Sequence, residues 1–531
     1  MKSINKILAL SLAVLAVGCS MDTEPLGSTV TSTQKDKVLD DEPSKVEASV
    51  NTVFSSMSLR TAAAGSSYHQ DFGFPAVALI GDHTGQDLTS PNTGYNWFAS
   101  ASDYTDRSQG SANLTIIWKT LYNTIYAAND AIKRINQAYE GAEDAAEISD
   151  AKYFLAQALA TRAFCYMNLA QYFQFTYDGH QDDKCVPWID ETTVDLTNNP
   201  RQTVETIYGH IIDDLDDAID FLSATRRVRP DKRYVSLEVA YGLRARANLL
   251  MHNYAEAADD ADAAMQGFTP YSIDELGKPS FNEVGHSWMW AIVIAETDPV
   301  VLSGIVNWPS HVCSFSYGYA GAVHAYRSVS ATLYQQIPST DVRKGWWLDE
   351  DGNSPLLVDE YSPANCSAIG MSFSPYLNVK FGAWKNELFT STNANPWPLM
   401  RVEEMYLIKA EALAMGGQPG EGKSVLESFV RTYRNRNFSL SSASPEVIQN
   451  AVWLQRRIEF WGEGQSFFDI MRLKKPIDRV GAGFTSAWVY QIAPESPVML
   501  YLIPQSEITS NDGITEQDQN QIAPKPTPVR G

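Results

Sequence analysis

The sequence is poor in the residues and motifs on which most catalytic and nucleic-acid-binding proteins depend. Five cysteines and eight histidines occur in 531 residues, without a CxxC pair, an HExxH pair or another metal-ligand spacing. Lys and Arg number 41 against 63 Asp and Glu, so the formal net charge is −22. Because nucleic acids and anionic lipid head groups are negatively charged, this balance argues against both as partners. We therefore expect no metal, no cofactor and no nucleic acid.

The N-terminal segment has the composition of an export signal followed by a tether. Lys2 and Lys6 precede a short apolar run that ends just before Cys19. Such a run is too short for a permanent membrane span, which needs about 20 apolar residues. We interpret residues 1–18 as a lipoprotein signal peptide and Cys19 as the lipidated first residue of the mature chain. Residues 19–44 are polar and poor in large apolar side chains, which predicts a flexible leash.

Helical periodicity recurs along the rest of the chain, residues 45–531. In 236–251, small and apolar residues recur at steps of three and four, and 254–265 repeats the pattern. Small residues at these positions let two helices approach closely, as in a tetratricopeptide unit. We expect a single, predominantly all-α domain whose helix pairs share a core. Comparable pairs are indicated at 116–139 with 145–173, at 203–222 leading into 237, and at 400–415 with 422–434.

Two long stretches, at about 62–106 and 267–398, interrupt this pattern. Both are rich in Gly, Pro, Ser, Asn and aromatic residues, and the helical period is largely lost. We expect loop-rich inserts with short strands on a rigid scaffold, where binding residues usually lie. A core or loop-anchoring role is the alternative for each aromatic residue. The candidate ligand contacts are Asp82, Asp87, Tyr95, Asn96 and Trp97 in the first insert, and Trp308, Tyr317 and Tyr319 in the second.

Three features suggest chemistry but lack its context. Residues 417–424 satisfy the phosphate-loop pattern GxxxxGK[ST], yet they follow a helical segment where that chemistry needs a strand. We expect a turn between two repeat helices there. His83 lies in a polar stretch, 81–87, that holds no second histidine, and the chain has no GxSxG motif. Counting carboxylates leaves a glycosidase pair open, but no spacing nominates one. The sequence therefore predicts no catalytic residue.

Three C-terminal motifs carry a resemblance to a known family. Residues 401–412 resemble the R-x-A-E-x-x-L-x-x-A-E-A helix of SusD/RagB-type nutrient-binding lipoproteins. Residues 456–472 look like their signature E-R-R-x-E-F-x-G-E-G-x-R-x-x-D-L-x-R, and 501–508 are similar to P-I-P-x-x-E-I. Departures are the residues Gln455, Ser466 and Phe467. The signature alternates in charge around two glycines, which is typical of a buried helix junction, more than of a ligand site. Its charged members are Arg456, Arg457, Glu459, Glu463, Asp469 and Arg472.

The resemblance implies more than composition can. It implies a SusD-like, α-helical fold with four tetratricopeptide units and a lipid anchor in the outer membrane, facing the cell exterior. It implies capture of an oligosaccharide or polysaccharide and its delivery to a SusC-like, TonB-dependent outer-membrane barrel. A peptide-binding member of the same family is one alternative. A helical glycoside hydrolase and a repeat scaffold that binds only proteins are the others.

Overall fold

The computed structural model describes residues 46–175, 177–225 and 227–530, which belong to one compact unit. The expected signal peptide at 1–18, the lipidation site Cys19 and the leash at 19–44 lie outside the described residues. Within the described ranges, no helix combines the length and the apolar character that crossing a membrane requires.

Helices dominate the described residues, as the periodicity predicts. The α-helices in chain order are α1 (Glu47–Ser56), α2 (Phe74–Thr84), α3 (Ala99–Ser102), α4 (Ala112–Ala138), α5 (Ala145–Phe173), α6 (Val204–Ala224), α7 (Leu237–Leu250), α8 (Tyr254–Ala264), α9 (Ile273–Leu276), α10 (Pro299–Leu302), α11 (Trp308–Val312), α12 (Ala331–Gln336), α13 (Pro363–Ala368), α14 (Val402–Met415), α15 (Pro419–Tyr433), α16 (Pro445–Glu459), α17 (Ser466–Arg472) and α18 (Gln505–Ser510). The predominantly all-α class is confirmed.

The strands of the described residues are short and pair only in twos, all antiparallel. In chain order they are β1 (Leu88–Thr89), β2 (Lys184–Pro187), β3 (Arg201–Thr203), β4 (Trp288–Ile292), β5 (Ser328–Val329), β6 (Trp397–Arg401), β7 (Ile477–Asp478) and β8 (Gln491–Ile492). The pair β1–β5 joins the two inserts, with Leu88 opposite Val329. The pair β4–β6 is fully buried and leads directly into α14.

The scaffold is a succession of helices in which each one packs on the next. The order of contact is α4, α5, α6, α7, α8 and α14, and α14 then packs on both α15 and α16. Gly242 in α7 allows close packing, since a Cβ there would lie 2.5 Å from the sulfur of Met400. Side-chain oxygens accept a backbone N–H at the starts of five of these helices: Ser111, Asp144, Thr203, Ser236 and Ser444. The helix pairs expected from the sequence are confirmed.

The phosphate-loop pattern forms a helix-to-helix connection, as expected. Helix α14 ends at Met415 and α15 begins at Pro419, so Gly422 and Lys423 lie inside α15. A Cβ at Gly422 would lie 2.5 Å from the carbonyl oxygen of Ala410, and this glycine therefore serves helix packing. The Lys423 ammonium donates to the carbonyl oxygen of Leu440 at 2.9 Å.

Helix α2 was not expected, because the sequence pattern predicts that residues 74–84 belong to a loop-rich insert. All eleven of its residues are buried, and a helix that is buried on every side shows no amphipathic period. Its C-terminal carbonyl groups are satisfied by Arg479, whose guanidinium donates to the oxygens of His83, Thr84 and Gly85. The first insert thus sends a helix through the core beneath its exposed loops.

A buried ion cluster fastens the second insert to the C-terminal helices. Glu459, at the end of α16, accepts hydrogen bonds from Arg343, Arg401 and Arg434 at 2.7 to 3.0 Å. Burial alone would raise the pKa of Glu459, but the three guanidinium groups hold it well below its usual range. Four cations and four carboxylates make up the cluster, so the buried charges balance: Arg343, Lys380, Arg401, Arg434, Asp341, Glu403, Glu459 and Glu463.

The members of the ion cluster come from distant parts of the chain. Arg343 and Lys380 belong to the second insert, whereas Glu463 follows α16. Gly464, with φ of +84°, packs its backbone against Ala78 of α2, and an added Cβ would lie 2.4 Å from the Ala78 Cβ. These contacts confirm the interpretation of the C-terminal signature as a structural junction.

We expect Glu459→Gln to destabilise the protein by about 3 to 5 kcal/mol, because it leaves buried guanidinium groups without their carboxylate. Equilibrium unfolding in urea measures this loss. Glu446→Gln, at an exposed position in the first turn of the same helix, is the control and should cost less than about 1 kcal/mol. Equal stability of the two variants would contradict the structural role of the cluster.

Lys423→Ala should change the free energy of unfolding by less than about 0.5 kcal/mol and should leave nucleotide affinity at background. The reason is that Lys423 lies inside α15, bonded to the Leu440 carbonyl oxygen, where the backbone N–H groups do not converge as a phosphate site requires. Titration of ATP by calorimetry checks the point. Tight ATP binding that is lost in Lys423→Ala would show that the motif is functional.

Candidate functional site

Aromatic side chains from the two inserts meet in one cluster at the protein surface. The rings of His69 and Trp97 stack at 4.6 Å, and Tyr319 lies 6.1 Å from Trp97 and 6.3 Å from Tyr95 between ring centroids. The Tyr319 hydroxyl hydrogen-bonds to Nδ1 of His69. We call these four residues, together with Tyr317 two positions before Tyr319, the aromatic platform.

The first loop of the platform is held by the side chain of Asn96. Its amide donates to the Ser90 hydroxyl at 2.8 Å and to the carbonyl oxygen of Pro91 at 3.0 Å. Its oxygen accepts from the guanidinium of Arg327 at 3.1 Å. With its side chain turned inward, Asn96 leaves its neighbour Tyr95 53% exposed. Asn96 therefore shapes the loop and is not itself available to a ligand, which corrects its expected role.

The second loop alternates exposed and buried side chains. Tyr317 is 45% exposed and rests edge-on against Phe389, with ring centroids 5.3 Å apart. Gly318 lies so close to α11 that a Cβ would stand 2.3 Å from the Ser310 hydroxyl oxygen. Tyr319, on the other side, is buried except for its edge. Two tyrosine faces, Tyr95 and Tyr317, are thus open to solvent.

The base beneath the platform is polar and buried. His311 donates from Nε2 to the carbonyl oxygen of His69 at 3.1 Å, and burial, aided by Arg327, holds its pKa well below the usual range. Burial also lowers the pKa of Arg327 to about 9. His83 accepts a hydrogen bond from Arg327 at 3.0 Å and is likewise held neutral, because burial lowers its pKa. These contacts give the platform a rigid mounting, and they leave none of the three groups exposed.

Both carboxylates that were expected to contact ligand are framework residues. Asp82 is 2% exposed, accepts the backbone N–H of Gly464 at 2.9 Å, and has its pKa raised to about 8 by burial. Asp87, also 2% exposed, receives two hydrogen bonds from the Arg457 guanidinium and one from the Ser466 hydroxyl. Both tie the first insert to the C-terminal junction. The expectation is wrong for both residues because their sequence neighbourhood shows polarity but not burial.

Trp308 is a core residue, contrary to expectation. It is 1% exposed, its indole donates to the carbonyl oxygen of Asn395 at 2.9 Å, and its ring packs edge-on against Phe381 and Trp397. A ligand cannot reach this ring. Sequence reasoning also missed His69 and Phe389, for which no periodicity or motif gave a signal.

The site offers few groups for catalysis. The two carboxylates selected from the sequence are buried and bonded. In the described part of the chain, no group of His, Cys, Asp or Glu is arranged to hold a metal ion. Cys165, Cys185, Cys313 and Cys366 are buried free thiols. What the platform does offer is open aromatic faces, which contact apolar surfaces with little loss of side-chain entropy.

Comparisons with known proteins agree with this architecture. Residues 38–249 match a family model described as "Starch-binding associating with outer membrane", and residues 330–522 match the "SusD family" model. A SusD-like protein P38 from Formosa agariphila is 20% identical over 420 residues, which covers 68% of this chain and 73% of that protein.

Solved structures show the same fold. A SusD-like carbohydrate binding protein from Bacteroides vulgatus superposes with a TM-score of 0.71 at 21% identity, and 90% of this chain covers 98% of it. A surface glycan-binding protein A from Bacteroides thetaiotaomicron, in complex with laminarihexaose, gives a TM-score of 0.65 at 16% identity over 90% of this chain and 98% of that one. The matched models, the fold and the C-terminal junction together establish that this chain belongs to the SusD/RagB family.

Proposed function

We propose that this protein captures a neutral glycan on the aromatic platform, without cleaving it, and delivers it to a TonB-dependent outer-membrane barrel. The observation that carries the proposal is the pair of open tyrosine faces: Tyr95, which lies against Tyr319, and Tyr317, which rests on Phe389. Aromatic faces of this kind contact the apolar faces of sugar rings. Two similar structures, the laminarihexaose complex and a laminarin binding SusD-like protein, support a glycan as the ligand class.

Electrostatics favour an uncharged ligand. The formal net charge of −22 repels acidic polymers. Arg327, which reaches the platform loop through Asn96, is fully buried and cannot contact a sulfate or carboxylate group. A neutral polysaccharide is not repelled by the negative charge and needs no exposed arginine.

The barrel partner is proposed from family membership and from exposed apolar side chains on the scaffold. Val194 and Leu196 are 96% and 52% exposed in a loop that follows Ile189. The side-chain amide of Asn129 in α4 donates to the carbonyl oxygen of Ile189 at 3.0 Å. The exposed Tyr126 lies on the same helix. Exposed apolar side chains of this kind are frequent at protein contacts. We further propose that lipidated Cys19 anchors the chain in the outer membrane, facing the exterior.

Tyr95→Ala and Tyr317→Ala should each weaken glycan binding by at least about tenfold, because a stacked aromatic at the centre of a site typically contributes about 2 kcal/mol or more. Affinity electrophoresis through gels that contain laminarin, starch, mannan or alginate identifies the ligand, and calorimetry measures the affinity. Tyr126→Ala is the matched control, since it removes an exposed tyrosine outside the platform. Its affinity should stay at the wild-type value.

Three results would contradict the glycan proposal. One is unchanged affinity in both platform variants, and another is binding of peptides with no retardation by any polysaccharide. The third is the appearance of new reducing ends during incubation with the bound glycan, since this would make the protein an enzyme.

Trp308→Ala should instead lose about 3 to 5 kcal/mol of stability, because its ring is in the core.

Cys19→Ala should release the protein from the membrane fraction into the soluble fraction, because alanine cannot carry the lipid that we propose as the anchor. Fractionation of cells that carry each form, followed by immunoblotting, measures the distribution. Ser20→Ala changes the adjacent residue and is the control. Full membrane retention of Cys19→Ala would exclude the proposed anchor.

A further inference from the structure

We propose that the glycan continues beyond the aromatic platform into a neighbouring cleft, so that the protein selects chains longer than the platform alone would cover. The inference rests on the proposed function and adds a second subsite to it. The cleft has a volume of 280 Å³ and lies beside the β1–β5 pair. Its lining includes Pro91, His324, Tyr326, Ser374, Tyr376 and Thr485.

Both walls of the cleft are continuous with the platform. On one wall, the Pro91 carbonyl oxygen accepts the Asn96 amide that also shapes the loop of Tyr95. On the other wall, the backbone N–H of Ala325, next to His324, donates to the carbonyl oxygen of Tyr319 at 2.9 Å. The residues that line the cleft are thus hydrogen-bonded to both loops of the platform, which places the cleft beside it.

The lining suits an uncharged, hydroxyl-rich ligand. No lysine or arginine is among the described residues that line the cleft, whereas hydroxyl groups, an imidazole and aromatic rings are. Nδ1 of His324 is hydrogen-bonded to the Tyr326 hydroxyl at 2.9 Å, so the outer nitrogen of this exposed ring faces solvent. The ring of Tyr376 packs against the ring of Tyr334, with the two centroids 5.0 Å apart. The cleft thus repeats the chemistry of the platform.

Two residues that line the cleft have a left-handed backbone conformation. His324 and Tyr376 have φ values of +57° and +65°, a left-handed conformation that side chains other than glycine rarely adopt. Such strain persists only where surrounding bonds enforce it, and it concentrates at ligand sites. The carbonyl oxygen of Tyr376 accepts a hydrogen bond from the backbone N–H of Val329 in β5 at 3.0 Å.

The test is a ladder of oligosaccharides of about two to eight sugars, cut from the polysaccharide of the panel that binds most tightly. Calorimetry on the full-length protein measures affinity at each length. Wild type should gain at least about tenfold in affinity between the shortest and the longest members. Tyr376→Ala should lose that gain while it binds the shortest members as wild type does, and Tyr95→Ala should weaken binding at every length.

A second variant guards against misfolding of Tyr376→Ala. Ser374 is exposed at the rim of the cleft, so Ser374→Trp fills the cleft from outside and should remove the same gain. Tyr376→Phe keeps the ring and should retain the gain in affinity with chain length. Affinity that does not depend on length, or an equal loss at all lengths in Tyr376→Ala and Ser374→Trp, would overturn the second subsite and leave the platform intact. Absence of binding at every length would overturn the proposed function and this inference together.

Discussion

The arrangement of the inserts depends on a buried, charge-balanced ion cluster centred on Glu459. Three guanidinium groups converge on this one carboxylate, and they come from the second insert, from the end of β6 and from the end of α15. A buried charge without a partner is strongly unfavourable, so each member can lie there only if the others do. The cluster therefore fixes the insert relative to the helices more strictly than apolar packing alone would.

A second connection fixes the first insert by the same principle. Asp87, three residues after the end of α2, is bound by Arg457 of α16, two residues before Glu459. The two inserts are thus fastened to the last turn of one helix. Because of this, Tyr95 and Tyr319, which are far apart in sequence, come within 6.3 Å of each other in space. Rigid placement of this kind lowers the entropy lost when a ligand binds.

The sequence predicts the scaffold well and the site only in part. Helices α7 and α8 follow from spacing, since amphipathic helices show their period. Helix α2 does not, because burial on all sides removes the period. Tyr95 and Tyr317 lie next to glycine and are exposed, whereas Trp308, an equally plausible candidate by composition, is in the core. Composition reports which residues are available in an insert, but burial depends on long-range contacts such as the one between Trp308 and Trp397.

We expect ligand to bind on the rigidly mounted inserts and not on the helical repeats. Hydrogen–deuterium exchange, measured with and without the polysaccharide that binds most tightly, tests this across the whole molecule. Added protection is expected in the platform loops, at 90–98 and 313–326, with none in α7 and α8. Protection confined to the repeat helices, with unchanged exchange in both loops, would contradict it.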